Sequence, residues 1–310
     1  MRILVSGGAG FIGSHTVDAL IAAGGHEISI IDDLSAGKRG QINPRARFYQ
    51  TDVRDAAAVR AMFERERPEI LVHLAAQMDV RRSVADPAFD AQVNLVGFLN
   101  LIEAGRANGL RRVVFSSTGG AIYGEQESFP CNEDHPLRPV SPYGVAKLAT
   151  EKYLFFYHVQ YGIDYVAMRY ANVYGPRQDP HGEAGVVAIF CGRILEDRPV
   201  TVYGDGNQTR DYVFVGDVVR ANVAAVASTV SGAFNIGTGI ETNVNQLYAA
   251  LAQIAGTSRA PEYGPARPGE QMRSVILPAR AQKELGWRPQ VELPEGLAET
   301  LRYFRERASH

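Results

Sequence analysis

The sequence of 310 residues predicts an α/β fold, with a doubly wound parallel sheet and a smaller C-terminal α/β lobe. Three observations support this prediction. Short apolar runs alternate with longer helical patterns through the first half of the chain. A glycine-rich stretch directly follows the first apolar run. After Tyr170 the alternation stops, and turn residues become frequent.

Six apolar runs have the length and the bounding residues of β-strands. They cover residues 2–6, 27–32, 46–50, 70–74, 112–116 and 164–170. The helical patterns cover residues 14–23, 56–67, 89–108 and 143–161. Strands that alternate with helices at this spacing form a parallel sheet with helices on both faces.

The C-terminal part has the pattern of a smaller, less regular lobe. Two helical stretches are recognisable there, at residues 186–196 and 244–255, and residues 234–237 have the pattern of one more strand. We therefore expect the two lobes to interleave in sequence. The predicted division is residues 1–170 plus about 209–238 for the first domain, and residues 171–208 and 239–310 for the second.

Composition excludes several classes of protein. The formal net charge of -2 does not favour binding to nucleic acid or to an anionic membrane surface. No apolar run is long enough to span a bilayer, and the start of the chain lacks a signal-peptide pattern. Cys131 and Cys191 lack the spacing of a metal or redox site. We expect a cytoplasmic protein with reduced thiols.

The glycine-rich stretch has the spacing of a dinucleotide-binding turn. Gly8, Gly10 and Gly13 form Gly-x-Gly-x-x-Gly, and Gly7 begins a wider variant of the motif. Glycines let the backbone approach a pyrophosphate, and the following helix presents its N-terminal N–H groups to the phosphates. The motif alone is weak, but a strand precedes it and a helix follows it, as in a Rossmann fold.

Asp32 indicates which dinucleotide is bound. It ends the second predicted strand, where a carboxylate accepts hydrogen bonds from the adenosine ribose and repels a 2′-phosphate, so NAD is favoured over NADP. Lys38 and Arg39 follow in a loop, where we expect them to be solvated. Two roles stay open for Asp52, as an acceptor for the adenine amino group or as a helix N-cap.

Tyr143 and Lys147 are candidate reactive groups. Ser141 and Pro142 predict a helix start, because serine is a frequent N-cap and proline suits the first helical position. Tyr143 and Lys147 then share one helix face. We expect the ammonium, together with an oxidised nicotinamide, to favour the phenolate and make Tyr143 an acid/base catalyst. Taken alone, such a pair is more often part of a solvated helix.

Three hydroxyl side chains strengthen the catalytic interpretation. Ser116, Ser117 and Thr118 stand at the C-terminal end of a buried apolar run, the edge of an open α/β sheet where ligands lie. A hydroxyl there can bond a substrate oxygen and relay its proton to Tyr143. His73 lies inside another apolar run, and we expect it to be packed rather than catalytic.

These motifs resemble those of the extended short-chain dehydrogenases that act on nucleotide sugars, most closely the UDP-glucose 4-epimerases. The resemblance covers essentially the whole chain. The motifs that carry it are Gly-Gly-Ala-Gly-Phe-Ile-Gly-Ser-His, His-Leu-Ala-Ala-Gln, Ser-Ser-Thr…Tyr-Gly-Glu, Ser-Pro-Tyr-Gly-Val-Ala-Lys and Arg-Tyr-Ala-Asn-Val-Tyr-Gly-Pro-Arg. The resemblance implies NAD as cofactor, a UDP-sugar as substrate, and a C-terminal lobe that binds the nucleotide sugar.

The resemblance also implies roles for individual residues and no metal site. The implied catalytic residues are Thr118, Tyr143 and Lys147. The implied cofactor contacts are Gly7, Gly10, Phe11, Ile12, Gly13, Asp32, Asp33, Leu34, Ser35, Gly37, Asp52, Val53, Leu74, Ala75, Ala76, Gln77, Asn94, Ser116, Tyr143, Lys147 and Tyr170. The implied substrate contacts are Ser117, Thr118, Tyr143, Asn172, Arg210, Arg267 and Glu270. The two arginines suit a diphosphate, because guanidinium groups bind phosphate bidentately.

Three departures from the family pattern leave choices open. The Ser-Ser-Thr-Gly-Gly-Ala-Ile-Tyr run is one residue longer than usual, so Thr118 is the expected catalytic hydroxyl and Ser117 the alternative. Glu270 replaces the usual aspartate, which lengthens the reach to the uridine ribose. Ser274 stands where a bulky tyrosine is common, and the smaller side chain leaves room for an N-acetyl group.

The residues after the threonine discriminate among the family's reactions. Dehydratases and decarboxylases carry acidic residues there, whereas this chain has Gly119, Gly120 and Ala121. The resemblance thus favours epimerisation at C4 of UDP-glucose or UDP-galactose through a 4-keto sugar. The alternatives are a 4-epimerase of a UDP-N-acetylhexosamine or UDP-uronate and, below these, a dehydratase or decarboxylase. A non-catalytic NAD-binding regulator is disfavoured, because Tyr143 and Lys147 are intact.

The resemblance further implies a homodimer. Residues 89–108 and 143–161 carry broad apolar faces, which in this family pair with those of a second copy. Burial of these faces within one chain is the alternative.

Overall fold

A seven-stranded parallel sheet lies at the centre of the computed structural model, which describes residues 1–180, 185–267 and 271–308. From one edge to the other, its strands are β3 (Arg47–Gln50), β2 (Glu27–Asp32), β1 (Arg2–Ser6), β4 (Ile70–His73), β5 (Arg112–Thr118), β6 (Asp164–Tyr170) and β11 (Gly232–Ile236). Every strand pairing in this sheet is parallel. The predicted α/β fold class is confirmed.

The strand order reverses between β1 and β4. The chain builds outward from β1 to β3 in one direction and from β4 to β6 in the other. A reversal of this kind opens a crevice at the carboxyl ends of the strands, where ligands of doubly wound sheets bind.

Helices cover both faces of the sheet. They are α1 (Phe11–Ala23), α2 (Ala56–Glu66), α3 (Val80–Ala85), α4 (Pro87–Ala91), α5 (Gly97–Ala107), α6 (Pro142–Tyr161) and α8 (Val215–Ala227). Alternate residues of β1 point to the two layers. Ile3 and Val5 join the buried cluster that contains side chains of α1 and α8, whereas Leu4 joins the cluster of α2, α5 and α6.

Three predicted elements differ from the observed ones near the crevice. Helix α1 begins at Phe11, three residues before its predicted start. The fifth strand continues to Thr118, because Ser117 and Thr118 pair with the last two residues of β6. The helix predicted at residues 89–108 begins earlier, at Pro87, where Asp86 accepts a hydrogen bond from the Phe89 N–H and caps it. A π-helical turn over Gln92–Val96 then separates α4 from α5. A π turn adds a residue to the helical repeat, which a pattern of apolar residues does not reveal.

The remaining elements lie in the C-terminal half of the chain. They are β7 (Asn172–Tyr174), α7 (Val186–Leu195), β8 (Thr201–Tyr203), β9 (Thr209–Arg210), β10 (Tyr212–Phe214), β12 (Thr242–Asn243), α9 (Val244–Ala255), β13 (Glu262–Gly264), β14 (Arg273–Ser274), α10 (Ala279–Glu284) and α11 (Leu293–Ala308). Helices α7, α9 and α11 share an apolar core that includes Phe190, Leu247, Leu251 and Leu297. The strand predicted at residues 234–237 overlaps β11, which lies in the main sheet and ends at Ile236.

Within the described ranges, no helix combines the length and the apolar character needed to cross a membrane. Within the same ranges, no group of His, Cys, Asp and Glu side chains is arranged to hold a metal ion.

Candidate active site

The glycine-rich loop is packed too closely for side chains at two of its positions. Gly7 has φ +72°, and a Cβ there would lie 2.6 Å from the Ala75 nitrogen. A Cβ at Gly13 would lie 2.0 Å from the Gly7 carbonyl oxygen. Helix α1 starts directly behind this loop, and no side chain caps its N-terminus at Gly10. The loop therefore leaves backbone N–H groups available to a pyrophosphate, and this arrangement fits NAD.

Asp32 lies at the carboxyl end of β2 beside this loop. Its Oδ2 accepts a hydrogen bond from the Ala9 N–H (3.0 Å) and its Oδ1 one from the Leu34 N–H (2.8 Å). Burial raises the pKa of Asp32, and these two N–H groups oppose that effect. A Cβ at Gly37 would lie 2.7 Å from Asp32 Oδ1, so the segment from Asp33 to Gly37 folds closely over the carboxylate. Asp33 accepts bonds from the N–H and hydroxyl of Ser35.

Asp52 is not the N-cap of the next helix. Asp55 caps α2 by accepting hydrogen bonds from the N–H groups of Ala57 and Ala58. The carboxylate of Asp52 instead accepts bonds from the Arg54 backbone N–H (2.8 Å) and guanidinium Nε (2.9 Å), and these lower its pKa. The N-cap alternative for Asp52 is therefore wrong, and its neighbour Val53 is buried in the core.

The two basic residues that follow Asp32 have partners of their own. Lys38 lies 4.0 Å from the Asp179 carboxylate, and Arg39 donates to Gln50 (2.7 Å).

The segment after β4 is fixed by a reciprocal pair of hydrogen bonds. The Gln77 N–H donates to Asn94 Oδ1 and the Asn94 amide donates to the Gln77 carbonyl, both at 2.9 Å. Asn94 lies in the π-helical turn, which brings its side chain to the segment Leu74–Ala75–Ala76–Gln77. His73, at the end of β4, is buried with its Nδ1 2.6 Å from Ser6 Oγ. Burial lowers the pKa of His73 to about 3, which matches the packed role predicted for it.

Helix α6 begins as predicted. Ser141 Oγ accepts a hydrogen bond from the Gly144 N–H (3.2 Å), and Pro142 occupies the first helical position. A Cβ at Gly144 would lie 2.8 Å from the Ala121 carbonyl oxygen. This close approach sets the first turn of α6, which carries Tyr143, against the segment that follows β5.

The structure brings Thr118, Tyr143 and Lys147 together at the carboxyl end of β5. Burial raises the pKa of Tyr143, and the Thr118 side chain lies close enough to the phenol to oppose that rise. Lys147 Nζ donates to the Ser116 carbonyl (2.7 Å) and lies 5.7 Å from the centroid of the Tyr143 ring. Ser117 points elsewhere, since its hydroxyl donates to Glu151 (2.6 Å). Of the two hydroxyls that the sequence left open, Thr118 is the one that contacts Tyr143.

The pKa of Tyr143 departs from the prediction. Tyr143 is partly open to the crevice but lies deep in the protein, and this burial, reinforced by the Asp90 carboxylate, raises its pKa. Burial lowers the pKa of Lys147 to about 7, while Asp90 opposes that fall. The sequence analysis expected Lys147 and an oxidised nicotinamide together to favour the phenolate; the protein's own groups act in the opposite direction, chiefly through burial.

Of the seven substrate contacts implied by the resemblance, Ser117 and Thr118 lie in β5 and Tyr143 lies in α6, and the structure describes three of the other four. Asn172 begins β7, and its N–H donates to the Asp211 carbonyl (2.8 Å). Arg210 lies in β9, paired with Thr242 and Ser274 of the flanking strands. Arg267 is exposed, with its guanidinium 3.9 Å from the centroid of the Tyr203 ring. Glu270 lies outside the described residues.

Two residues near the site have contacts that the sequence analysis did not predict, Tyr170 and Asp90. The Tyr170 side chain is buried, and its hydroxyl donates to Asn222 of α8 (2.6 Å), while its backbone carbonyl accepts from the Gly119 N–H (2.7 Å). Asp90 was missed by the sequence analysis, although it interacts with both Tyr143 and Lys147. The signal that could have found it is its position four residues before Asn94, on one helix face.

Comparison with known proteins identifies the family to which this site belongs. The model of the NAD dependent epimerase/dehydratase family matches residues 3–237. The chain belongs to this family. A UDP-glucose 4-epimerase of Mycolicibacterium smegmatis is 47% identical over 314 residues, which cover 99% of this family member and all of the relative.

Solved structures extend the similarity to the whole fold of this family member. A UDP-glucose 4-epimerase of Thermotoga maritima with UDP-glucose has a TM-score of 0.97 and 49% identity, covering 99% of this chain and 100% of that chain. A UDP-glucose 4-epimerase of Thermus thermophilus in complex with NAD has a TM-score of 0.93 and 48% identity, covering 98% of this chain and 99% of that chain.

We predict that Gly13→Ala weakens NAD binding by at least about tenfold, roughly 1.4 kcal/mol. The added methyl group would overlap the Gly7 carbonyl and displace the loop. Gly40→Ala is the matched control, because a Cβ there meets no atom within 4 Å and its φ is not positive. NAD affinity is measured by calorimetry on protein stripped of cofactor. Equal affinity in the two variants would contradict the assignment of this loop.

Proposed function

We propose that this chain interconverts UDP-glucose and UDP-galactose by inverting the configuration at C4 of the sugar. The observation that carries the proposal is the group Thr118, Tyr143 and Lys147 at the carboxyl edge of the sheet. The three residues directly after Thr118, which are Gly119, Gly120 and Ala121, supply no acidic side chain for elimination or decarboxylation. The full-length similarity to UDP-glucose 4-epimerases supports the same reaction.

In this proposal, Tyr143 exchanges the proton of the sugar C4 hydroxyl, and Thr118 holds the phenol and relays that proton. NAD, when bound, takes up the C4 hydrogen with its electron pair and returns it to the opposite face of the sugar. The pyrophosphate is held by the loop from Gly7 to Gly13, and the nicotinamide ribose by Lys147. Because the protein's own groups raise the pKa of Tyr143, the positive nicotinamide ring is the group that favours the phenolate.

We assign the nucleotide sugar to the C-terminal lobe, residues 171–208 and 239–310, and the cofactor to residues 1–170 plus about 209–238. Arg267 of this lobe, and Arg210 at the boundary between the two domains, provide positive charge for the diphosphate. Asn172 and Glu270 complete the substrate contacts in this assignment. Cys131 and Cys191 are both free and buried, which supports a reducing compartment, and we propose the cytoplasm.

A UDP-N-acetylhexosamine is a second candidate substrate, and Ser274 favours it. Ser274 is 4% exposed and pairs directly with Arg210, the proposed diphosphate contact. A serine at this position is small, so a larger substituent on the sugar meets less protein there than it would with an aromatic residue.

We also propose that two copies of the chain associate through α6. Val145, Phe155 and Val159 of this helix are 53%, 57% and 68% exposed, and Phe156 is 47% exposed beside them. Val96, in the neighbouring π-helical turn, adds to the same apolar surface at 45% exposure. An exposed apolar surface of this extent is typical of a protein–protein interface.

The reaction is tested by incubating the purified protein with UDP-glucose, UDP-galactose, UDP-N-acetylglucosamine and a UDP-uronate, and separating the products by chromatography. We expect UDP-glucose and UDP-galactose to interconvert without added coenzyme, because the hydride is returned in each cycle. Turnover of the N-acetyl sugar alone would replace the first candidate with the second. A dehydrated product, or no turnover of any sugar, would contradict the proposal.

We predict that Thr118→Val lowers kcat for UDP-glucose by roughly 10²-fold, the lower end of the usual range for general acid/base groups. Ser117→Ala is the matched control, because its hydroxyl bonds Glu151 and not Tyr143. The control is expected to keep kcat and to lose about 1 kcal/mol of unfolding free energy with that hydrogen bond. If Ser117→Ala lowered kcat and Thr118→Val did not, Ser117 would be the residue that relays the proton.

We predict that Phe155→Glu converts the dimer to a monomer, because an apolar interface does not accommodate an unpaired charge. Val140→Glu is the control, since Val140 is 78% exposed and precedes α6. Analytical ultracentrifugation measures both masses. A wild-type protein that sediments as a monomer, or a Phe155→Glu variant that stays dimeric, would refute this interface.

A further inference from the structure

A buried carboxylate to which the proposed mechanism gives no role lies beside its two ionisable residues. Asp90 is 1% exposed and stands on α4, which packs against α6. Burial raises the pKa of Asp90, the Asn94 and Gln77 amides and Lys147 oppose that rise, and the ionised carboxylate acts on both Tyr143 and Lys147 of α6. Fully buried aspartates are rare unless they are paired, so this carboxylate needs an explanation.

The hydrogen bonds of Asp90 do not supply that explanation. Its Oδ1 accepts from Gln77 Nε2 (3.0 Å) and from Asn94 Nδ2 (2.9 Å). Its Oδ2 is buried and has no hydrogen-bond partner among the residues that the structure describes. If Asp90 only held the two amide groups in place, a neutral asparagine would serve, because a single amide oxygen can accept both bonds. The unpaired oxygen therefore points to a role for the charge.

Lys147 is the group that needs a negative charge. It is 2% exposed, and Nζ has the Ser116 carbonyl as its hydrogen-bond acceptor. Of the ionisable groups that act on it, His73 of β4 is neutral, because burial lowers its pKa to about 3. Tyr143 on the same helix is also neutral when no positive nicotinamide lies beside it, because burial raises its pKa. Asp90 of α4 is therefore the negative charge that opposes the loss of a proton from Lys147.

Glu151 does not compete for this role, although it follows Lys147 by one turn of α6. Both of its carboxylate oxygens accept hydrogen bonds from Arg169, at 3.0 and 2.7 Å. That buried pair is internally neutralised. Burial disfavours the ammonium form of Lys147, and Asp90 is the charged group that favours it.

We propose that Asp90 is a positioning residue whose buried negative charge keeps Lys147 an ammonium in the closed interior of the site. The charged Lys147 then remains a hydrogen-bond donor while it lies out of contact with water. This inference rests on the proposed roles of Tyr143 and Lys147. The pH dependence follows from the sign of the charge: without Asp90, Lys147 loses its proton at a lower pH.

The titration of Lys147 tests the proposal directly. The sequence has four lysines, Lys38, Lys147, Lys152 and Lys283, so ¹³C-lysine labelling gives a simple spectrum in which Lys147→Arg identifies the Lys147 signal. We expect Asp90→Asn to lower the Lys147 midpoint by about one pH unit or more in the protein loaded with NADH, whose nicotinamide ring is neutral. That is a tenfold or larger change in the protonation equilibrium. A midpoint that stays at its wild-type value would overturn the proposal.

Asp86→Asn is the matched control for this titration. Asp86 is the exposed N-cap of the same helix, and asparagine caps a helix as well as aspartate does. It removes one negative charge from α4 at the surface and is expected to leave the Lys147 midpoint unchanged. If Asp86→Asn and Asp90→Asn shifted the Lys147 midpoint equally, the shift would come from the change in net charge, and the proposal would be contradicted.

If the Asp90→Asn protein folds poorly, its melting temperature provides a second test. Removing both charges relieves the unpaired ammonium, so Asp90→Asn/Lys147→Met is expected to melt at a higher temperature than Asp90→Asn alone. A double variant that melts lower than the single variant would show that the two charges are not coupled, and would also overturn the proposal. Neither measurement uses a sugar substrate, so a failure of the proposed epimerisation is detected separately.

Discussion

The hydrogen bond from Lys147 Nζ to the Ser116 carbonyl joins the first turns of α6 to the end of β5, and the candidate site depends on it. Lys147 is buried and the bond itself is partly buried, so water competes little with it as it holds α6 against the sheet. Tyr143 lies one turn earlier on the same helix and meets Thr118, two residues beyond Ser116. A shift of α6 along the sheet would break both contacts together.

The sequence predicts much of this arrangement because the local chemistry is explicit. Ser141 and Pro142 specify the first turn of α6, and the parallel sheet brings the ends of β4 and β5 to one edge. What the sequence does not predict depends on three-dimensional surroundings. The choice of Thr118 over Ser117 follows from the direction of each side chain, and Ser117 is drawn away by Glu151. The raised pKa of Tyr143 depends on how deeply it is buried, which no spacing reveals.

Asp211 gives the C-terminal part a comparable anchor. Its carboxylate accepts hydrogen bonds from the Thr238 N–H (2.9 Å), the Thr238 hydroxyl (2.6 Å) and the Gly239 N–H (3.1 Å), all beyond the end of β11. Its backbone carbonyl accepts from Asn172. The neighbouring Arg210 is thus held at a fixed place relative to the main sheet. The family resemblance identified Arg210, but the sequence did not indicate that the adjacent Asp211 organises this segment.

The two buried carboxylates, Asp211 and Asp90, therefore have different roles. At Asp211 several N–H and O–H donors satisfy the carboxylate, so it acts as a structural junction. At Asp90 one oxygen has no donor within the described part of the chain, and the charge acts on Lys147 and Tyr143 instead. This difference separates a carboxylate that organises the fold from one that adjusts the chemistry of the site.

The most direct test of the central claim is a crystal structure of the protein with NAD and UDP-glucose. The account predicts that the Tyr143 hydroxyl lies within hydrogen-bond distance of the sugar O4, with Thr118 beside it and Lys147 on the nicotinamide ribose. A complex in which the Tyr143 hydroxyl contacts neither the sugar nor the cofactor would contradict it.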